Sequence, residues 1–251
     1  MNTPKIAFVT GATSGIGQAI ARTLAPEFRL IICGRRQNRL DELRVELEAI
    51  TEVKTLTFDV GDNKAVQDAV ASLPTDWSTV DLLVNNAGNA HGRAPLHEGD
   101  IADWDAMIDS NLKGLLHVTR AILPNMVAAK SGDVINISSI AGKEAYENGN
   151  VYCATKFGVD AITKSMRMEL IEHDIRVMSI NPGLVNTEFS SVRFKGDEEK
   201  SSAVYEGMLP LLAQDIADVV HFAVNRPAHV NLADTTVLAR AQASATKVFK
   251  K

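Results

Sequence analysis

The sequence predicts an α/β fold in which a parallel sheet of about seven strands is doubly wound, with helices on both of its faces. Short runs of β-branched and aliphatic residues recur along the 251 residues, and segments with a helical spacing of apolar residues lie between them. Strands that alternate with helices in this way form parallel β-α-β units with right-handed crossovers. We therefore expect one domain over residues 1–251, with ligands bound beyond the carboxyl ends of the strands.

The predicted strands are short apolar runs, as is typical of strands buried on both faces. They cover Ile6–Thr10, Leu30–Cys33, Thr55–Phe58, Leu82–Val84, Val134–Ser138, Val177–Ile180 and Thr235–Leu238. The predicted helices cover Gln18–Leu24, Gln37–Ala49, Ala65–Leu73, Trp104–Met126, Val151–Glu172 and Asp215–Val224. A polar, charged segment at residues 184–202 interrupts the alternation. We interpret it as a lid over the ligand site, with a solvated surface loop as the alternative.

Composition limits the possible functions. A formal charge of -5 gives no general attraction to nucleic acid or to an anionic membrane. Cys33 and Cys153 lie far apart, which is typical of neither a disulfide framework nor a metal site, so we expect a reducing, cytoplasmic compartment and no metal. No apolar stretch approaches the roughly 20 residues that span a bilayer, and Met1–Lys5 leads directly into a strand, so we expect no signal peptide.

A glycine-rich turn directly follows the first predicted strand. Glycines let a backbone turn tightly and approach a pyrophosphate, and the N–H groups of a following helix favour the anion. The position of the turn therefore predicts a dinucleotide site. The residues expected to form it are Gly11, Thr13, Ser14, Gly15, Ile16 and Gly17.

The end of the second predicted strand indicates which dinucleotide is bound. In NAD-binding units an acidic residue about 20 positions past the glycines binds the ribose hydroxyls. Here no Asp or Glu lies between Leu30 and Leu40, and Arg35 and Arg36 stand near a helix N-terminus instead. The helix dipole disfavours cations there unless an anion offsets them. We therefore predict NADP(H), with its 2′-phosphate held by Arg35 and Arg36.

Tyr152 and Lys156 lie four residues apart in a predicted helix, so their side chains share one face. A phenol with a pKa of about 10 is a poor base at neutral pH, but an adjacent cation lowers that pKa. We therefore predict that Tyr152 is the acid–base group. The fifth predicted strand ends in Ser138 and Ser139, where a hydroxyl could donate to a substrate carbonyl oxygen.

These motifs together resemble the short-chain dehydrogenase/reductase family, whose glycine turn has the G-x-x-x-G-x-G spacing found here. The resemblance runs from Ile6 to about Leu238 and implies a Rossmann-type fold and hydride transfer between a nicotinamide dinucleotide and a small alcohol or carbonyl compound. In the family the catalytic serine precedes the tyrosine by 13 positions, which selects Ser139. Asn111 matches the fourth catalytic residue, which holds a water that relays protons to the lysine.

The resemblance also implies further cofactor contacts and an oligomeric state. The implied contacts are Asp59 and Val60 at the adenine, Asn86, Ala87 and Gly88 after the fourth strand, Pro182, Gly183, Val185 and Thr187 near the nicotinamide, and Tyr152 and Lys156 at the catalytic centre. Lys156 would hold the nicotinamide ribose hydroxyls. Relatives are usually tetramers, so we expect a homotetramer.

The predicted lid carries Arg193 and Lys195, and paired cations on a closing loop suit a substrate carboxylate. The alternative is that both are solvated or paired with the acidic residues 197–199. We expect Ser139, Tyr152 and Arg193 to bind the substrate.

The segments at residues 189–196 and 227–231 resemble the NADP-dependent 3-hydroxy acid dehydrogenases of that family, which act on serine, allo-threonine and related acids. One alternative is a 3-oxoacyl carrier-protein reductase or another carbonyl reductase. Many of those end in a glycine-rich V-D-G-G segment that is absent from residues 234–240 here. A non-catalytic NADP(H)-sensing protein is a further alternative. It is disfavoured because the tyrosine, lysine and serine are all retained.

Overall fold

The computed structural model describes residues 4–251. Within them the strands are β1 (Lys5–Thr10), β2 (Phe28–Gly34), β3 (Val53–Thr57), β4 (Leu82–Asn85), β5 (Gly132–Ile137), β6 (Ile175–Pro182), β7 (Val185–Asn186), β8 (Leu211–Leu212) and β9 (Asp234–Val237). The helices are α1 (Gly15–Leu24), α2 (Gln37–Leu47), α3 (Asn63–Ala71), α4 (Ile101–Ile108), α5 (Gly114–Ala129), α6 (Asn150–Leu170), α7 (Glu188–Arg193), α8 (Glu198–Ala203) and α9 (Ala213–Val224). Single 3₁₀ turns cover Thr75–Trp77, Leu96–Glu98, Ile140–Gly142 and Ile171–His173.

Seven strands pair in parallel in the order β3-β2-β1-β4-β5-β6-β9, and β7 and β8 form a separate short ladder. Side chains alternate between the two faces of each strand, so Ala7 and Val9 pack against α1, α2 and α9, whereas Ile6 and Phe8 pack against α3, α5 and α6. The predicted doubly wound parallel sheet is confirmed. The strand order reverses between β1 and β4, and ligands bind at such a crevice in open α/β sheets.

All seven predicted strands are present, and no strand end differs from the prediction by more than two residues. The single helix predicted over Trp104–Met126 is wrong in two respects. It starts earlier, at Ile101, because the Asp100 carboxylate caps it by accepting a hydrogen bond from the Ala102 N–H at 2.9 Å. A π-helical turn at Asp109–Lys113 then separates α4 from α5. Such turns occur frequently at functional sites.

The charged segment at residues 184–202 is locally structured. It contains β7, α7 and the beginning of α8. Thr187 caps α7 by accepting from the Phe189 N–H, and Asp197 caps α8 by accepting from the Lys200 N–H. Thr and Asp are both favourable N-cap residues, so the local sequence favours these two short helices although the segment is highly charged.

In the part of the chain that the structure describes, no helix is both long and apolar enough to cross a bilayer. The expectation for Met1–Lys5 falls partly on residues 1–3, which lie outside the described residues.

Candidate active site

A cavity of about 810 Å³ extends along the carboxyl ends of the strands, and the turns that follow β1 to β6 line it. It brings together most of the residues predicted from the sequence. They are Gly11, Thr13, Ser14, Ile16, Arg35, Arg36, Asp59, Val60, Asn86, Ala87, Gly88, Ser139, Tyr152, Lys156, Pro182, Gly183, Val185 and Arg193. The other four predicted residues pack behind this lining and are Gly15, Gly17, Asn111 and Thr187.

The glycine-rich turn approaches its neighbours too closely for side chains. Gly11 has a φ of +66°, and a Cβ on it would lie 2.9 Å from Asn86 Nδ2 and 3.0 Å from Ala87 Cα. Gly15 has a φ of +54°, and its Cβ would lie 3.3 Å from Thr187 Cβ. Only glycine adopts such a conformation without strain. The turn therefore presents bare backbone to the cavity, as a pyrophosphate site requires.

The start of α1 also suits an anion. Among the described residues, no side chain caps its first N–H groups, because the Ser14 hydroxyl instead accepts from Arg36 Nη2 at 2.8 Å. Uncapped N–H groups and the positive end of the helix dipole both favour a phosphate.

Hydrogen bonds to the main chain fix the turn after β4. The Thr10 hydroxyl accepts from the N–H groups of Asn86 and Ala87, both at 2.8 Å. Asn86 Nδ2 donates to the Thr10 carbonyl at 2.9 Å. The two cofactor-side turns therefore hold each other in place.

The two predicted phosphate-binding arginines differ in their contacts. Arg35 is largely exposed, and its one ionic contact in the described residues is with Asp59, at 3.4 Å. Arg36 donates to Thr13 Oγ1 at 2.9 Å and forms an ion pair with Glu188 at 3.0 Å. Arg35 therefore has the guanidinium that is more available to bind a further phosphate.

Tyr152 and Lys156 share one face of α6 and both line the cavity. Lys156 Nζ lies 5.9 Å from the centre of the Tyr152 ring and donates to the Ile137 carbonyl at 3.1 Å. Ser139 follows β5 and lines the same cavity, with its hydroxyl 3.4 Å from the Pro182 carbonyl that accepts from it. An acid–base group, a hydroxyl donor and a cation thus converge on one end of the cavity.

Ser138 also lines the cavity, but its hydroxyl donates to the Lys156 carbonyl at 3.4 Å and so is turned toward the backbone of α6. Asn111 lies in the π-helical turn. Its Oδ1 accepts from the Asn89 N–H at 2.8 Å, and its Nδ2 donates to the Asn89 carbonyl at 2.9 Å and to Thr155 Oγ1 at 3.0 Å. Asn111 therefore connects the turn after β4 to α6.

Burial has the largest influence on the pKa values of Tyr152 and Lys156. It lowers the pKa of the Lys156 ammonium to about 8. Burial also raises the pKa of the Tyr152 phenol above its ordinary value, and Tyr146 adds to this rise, while Ser139 and Arg193 oppose it. The expected lowering of the Tyr152 pKa by Lys156 is not seen: burial raises this pKa most, and the cation that lowers it is Arg193. At neutral pH Tyr152 is therefore protonated and suited to donating a proton.

The substrate end of the cavity contains Arg193. Its Nη1 donates to the Tyr146 hydroxyl at 3.1 Å, and its guanidinium carbon lies 5.4 Å from the centre of the Tyr152 ring. Within residues 4–251, no carboxylate lies within 4.0 Å of this guanidinium, and its buried Nε has no hydrogen-bond partner. Arg193 is thus a partly buried cation beside Tyr152.

Lys195, the other predicted lid cation, is paired with two carboxylates. It forms ion pairs with Asp103 at 3.0 Å and with Asp100 at 3.6 Å. Asp197, one of its expected partners, instead pairs with Lys200 at 2.8 Å. The two lid cations therefore have different environments, and of the two it is Arg193 that lines the cavity.

Several residues that line the cavity were not predicted. They are Arg93, Tyr146, Glu188, Phe189, Gln242 and Lys250. Glu188 and Phe189 directly follow the predicted Thr187, so their position alone could have suggested them. Nothing local marks Tyr146 or Gln242, which long-range packing brings to the site. In residues 4–251, no three His, Cys, Asp or Glu side chains group closely enough to hold a metal ion.

Known proteins resemble the chain over nearly its whole length. The NADP-dependent 3-hydroxy acid dehydrogenase YdfG of Salmonella typhi is 46% identical over 229 residues, covering 90% of this chain and 92% of the relative. The NADP-dependent 3-hydroxy acid dehydrogenase of Schizosaccharomyces pombe is 41% identical over 251 residues, covering 98% and 97%.

Solved structures agree with these relatives. The closed form of a serine dehydrogenase complexed with NADP+ superposes with a TM-score of 0.92 at 42% identity, covering 98% of this chain and 99% of that one. Serine dehydrogenase from Escherichia coli has a TM-score of 0.81 at 38% identity, covering 95% and 99%. The family model for short chain dehydrogenases matches residues 5–198. The chain therefore belongs to the short-chain dehydrogenase family and is an oxidoreductase acting on CH–OH groups.

Proposed function

We propose that this oxidoreductase interconverts small 3-hydroxy acids and their carbonyl forms, with the substrate carboxylate bound by Arg193. The observation that carries this proposal is the Arg193 cation, without a carboxylate partner among the described residues and 5.4 Å from the Tyr152 ring. A partly buried guanidinium without a carboxylate is costly unless an anion binds to it. The names of the relatives, 3-hydroxy acid dehydrogenase and serine dehydrogenase, support the same substrate class. We propose serine, allo-threonine and 3-hydroxyisobutyrate as candidate substrates.

The cofactor is NADP(H), and this structure fits it. The bare glycine turn and the uncapped start of α1 suit a pyrophosphate, and the largely exposed Arg35 is available to a 2′-phosphate. Lys156 and Gly88 line the same cavity, so the Lys156 ammonium is placed to bind the nicotinamide ribose. When bound, NADP(H) supplies or accepts the hydride.

The protein's own residues transfer the proton and orient the substrate. Tyr152, held protonated by burial, donates its proton to the carbonyl oxygen during reduction and takes it back during oxidation. Ser139 donates a hydrogen bond to that oxygen. Lys156 holds the ribose and, once positioned there, favours the phenolate. Arg193 fixes the carboxylate so that the carbonyl carbon faces the cofactor.

The segment at residues 184–202 is proposed to act as a lid. Phe189 packs on Tyr152 with ring centres 5.7 Å apart, and Arg193 covers the same ring, so this segment completes the site. Hydrogen exchange of residues 184–202 should slow when NADPH and a carboxylate substrate are added; unchanged exchange would contradict the lid.

We also propose a homotetramer in the cytoplasm. The family resemblance and the exposed Leu116, Phe157 and Met168 on α5 and α6 support helix-on-helix association. The two cysteines, which form no disulfide in the described part of the chain, support a reducing compartment. Analytical ultracentrifugation should give four times the chain mass, and a monomer would contradict the assembly.

A substrate comparison tests the proposed function. Serine and 3-hydroxyisobutyrate are assayed against their decarboxylated analogues, ethanolamine and propanol, by following NADPH absorbance. We expect a marked preference for the acids. Arg193→Gln should raise the KM for the acids by about tenfold to a hundredfold, since a charge-assisted contact contributes about 1.5–3 kcal/mol, while the KM for propanol changes little. Equal turnover of acids and analogues by the unmodified protein would overturn the proposal.

A further inference from the structure

Glu188, the first residue of α7, binds two arginines of the cofactor side. Its carboxylate oxygens lie 3.0 Å from Arg36 Nη1 and 2.7 Å from Arg39 Nη1. All three side chains are a little over a third to nearly half exposed. The pair with Arg36 joins residues 152 positions apart in the chain. Glu188 thus connects the segment proposed as a lid to the end of β2, where the 2′-phosphate is recognised.

Arg36 continues this connection into the phosphate-binding turn. Besides Glu188, it donates to Thr13 Oγ1 at 2.9 Å and to Ser14 Oγ at 2.8 Å. A carboxylate, a guanidinium and two hydroxyls therefore form one hydrogen-bonded network. The network lies on the wall of the cavity, because Glu188 and Arg36 both line it.

The other end of the same short helix lies beside Tyr152. Arg193 is the last residue of α7, five positions after Glu188, so the two backbones are about 7.5 Å apart along the helix axis. Phe189 lies between them and packs on the Tyr152 ring. A helix this short moves as a unit, so fixing Glu188 also fixes the place of Arg193.

We propose that Glu188 is a positioning residue that couples recognition of the cofactor 2′-phosphate, through Arg36, to the placement of Arg193 at the substrate carboxylate. This inference rests on the proposed 3-hydroxy acid dehydrogenase function. When a 2′-phosphate orders Arg36, it also orders α7 through Glu188. Binding of the acid by Arg193 then costs less conformational entropy. By linkage, the acid in turn favours the cofactor that carries the phosphate.

The structure also limits the size and form of the effect. The ion pairs are partly exposed, and pairs of this kind contribute up to about 1 kcal/mol, which corresponds to roughly a fivefold change in a binding constant. Removing the Glu188 charge also removes repulsion toward a nearby phosphate. Loss of Glu188 should therefore weaken binding of the acid without weakening binding of NADPH, a combination that general damage to the site would not produce.

The experiment compares Glu188→Gln with the unmodified protein, with Glu188→Asp and with Glu198→Gln. Glu198 is a matched control because it opens the neighbouring helix α8 and has no ion pair within the described residues. For each protein, KM is measured for the acid substrate, 3-hydroxyisobutyrate, and for propanol, with saturating NADP+ and with saturating NAD+. NADPH affinity is measured by fluorescence titration, and folding is checked by thermal melting.

We expect the KM for the acid in the unmodified protein to be about threefold to fivefold lower with NADP+ than with NAD+. In Glu188→Gln this ratio should fall to about one, with kcat within twofold and NADPH bound at least as tightly. Glu188→Asp should restore part of the ratio, and Glu198→Gln should retain all of it.

Two results would overturn the coupling. One is a Glu188→Gln variant that keeps the NADP+ advantage for the acid. The other is a variant in which the KM values for the acid and for propanol rise equally while NADPH binding weakens, which would indicate a merely structural role. An unmodified protein that already lacks acid preference would overturn the proposed function as well. Failure of the coupling alone would leave that preference intact.

Discussion

The cofactor end and the substrate end of the cavity are held by different kinds of contact. At the cofactor end, the side chains of Thr10 and Asn86 form hydrogen bonds to the main chain of the neighbouring turn at 2.8–2.9 Å. The backbone of the glycine turn lies too close to its neighbours to admit a larger side chain. At the substrate end, the short helix α7 is held mainly by side chains, through Tyr205 with Ser190 and Tyr146 with Arg193, and by one backbone bond from the Gly92 N–H to the Arg193 carbonyl at 2.9 Å. A site built from the backbone is rigid, whereas the specificity of a site built from side chains changes when those side chains are substituted.

The largest expected effect separates chemistry from cofactor binding. Tyr152→Phe removes the proton donor while leaving the cofactor end untouched, so kcat should fall by at least about a hundredfold. NADPH affinity, measured by fluorescence titration, should stay within about twofold. Tyr146→Phe is the control, because it removes the hydroxyl that accepts from Arg193 and should raise the KM for the acid rather than lower kcat. Undiminished turnover by Tyr152→Phe would exclude its catalytic role.

Substituting one glycine at each end compares how tightly the backbone is constrained at the two ends. Gly11 and Gly196 both have positive φ, but a Cβ on Gly11 meets the Ala87 backbone at 3.0 Å, whereas one on Gly196 meets no described atom within 4 Å. Gly11→Ala should therefore lower the free energy of unfolding by about 2–4 kcal/mol and Gly196→Ala by about 1 kcal/mol. Urea denaturation measures both. Equal losses would mean that the cofactor turn is no more constrained than the lid.

Charge reversal at the cofactor end should change cofactor choice. Arg35→Asp should raise the KM for NADPH by about tenfold to a hundredfold and spare that for NADH, because a charge-assisted contact to the phosphate is replaced by repulsion. Steady-state kinetics with both cofactors measure this, and Arg44→Asp on α2 is the control with the same charge change outside the cavity lining. Equal effects on both cofactors would refute recognition of the 2′-phosphate by Arg35.

The smallest effect concerns the cost of burying Lys156. Its pKa is about 8 in the folded protein against 10.5 for an ordinary lysine. Below pH 8 both states hold the proton, and burying the charge destabilises the fold. Between pH 8 and 10.5 the unfolded chain binds more protons, so stability rises with pH.

Lys156→Met should therefore raise the free energy of unfolding at pH 7 by about 1–2 kcal/mol, after the lost bond to the Ile137 carbonyl offsets part of the gain. This gain should disappear as the pH rises from 8 toward 10.5, where ordinary lysines also become neutral. Urea unfolding at both pH values measures it. A variant less stable at pH 7 would show that the bond to Ile137 outweighs burial.

Local patterns were sufficient for most of the fold and for the cofactor residues. Most of the central strands are buried, largely apolar runs, and the edge strands β3 and β9 are rich in β-branched residues, so all seven were predictable to within two residues. The glycine turn and the two arginines are contiguous in sequence and carry their chemistry in residue type. The placement of Ser139, Tyr152 and Lys156 on one cavity also agrees with the sequence, because parallel strands end at the same edge.

Other features depended on contacts between distant parts of the chain. The π-helical turn was not predictable, because it is marked by the packing of Asn111 on Asn89 and Thr155 rather than by periodicity. The pKa of Tyr152 was misjudged because spacing reveals a neighbouring cation but not the depth of burial.

The sequence by itself determined the doubly wound sheet, the dinucleotide turn and the types of the catalytic residues, because these follow from apolar periodicity, backbone freedom and residue chemistry within short segments. Only the tertiary structure decided that Arg193 faces the site while Lys195 pairs with Asp103, and that Glu188 joins Arg36. Two cations two residues apart look alike in a sequence. Their roles differ because folding brings a carboxylate to one and leaves the other beside the catalytic ring.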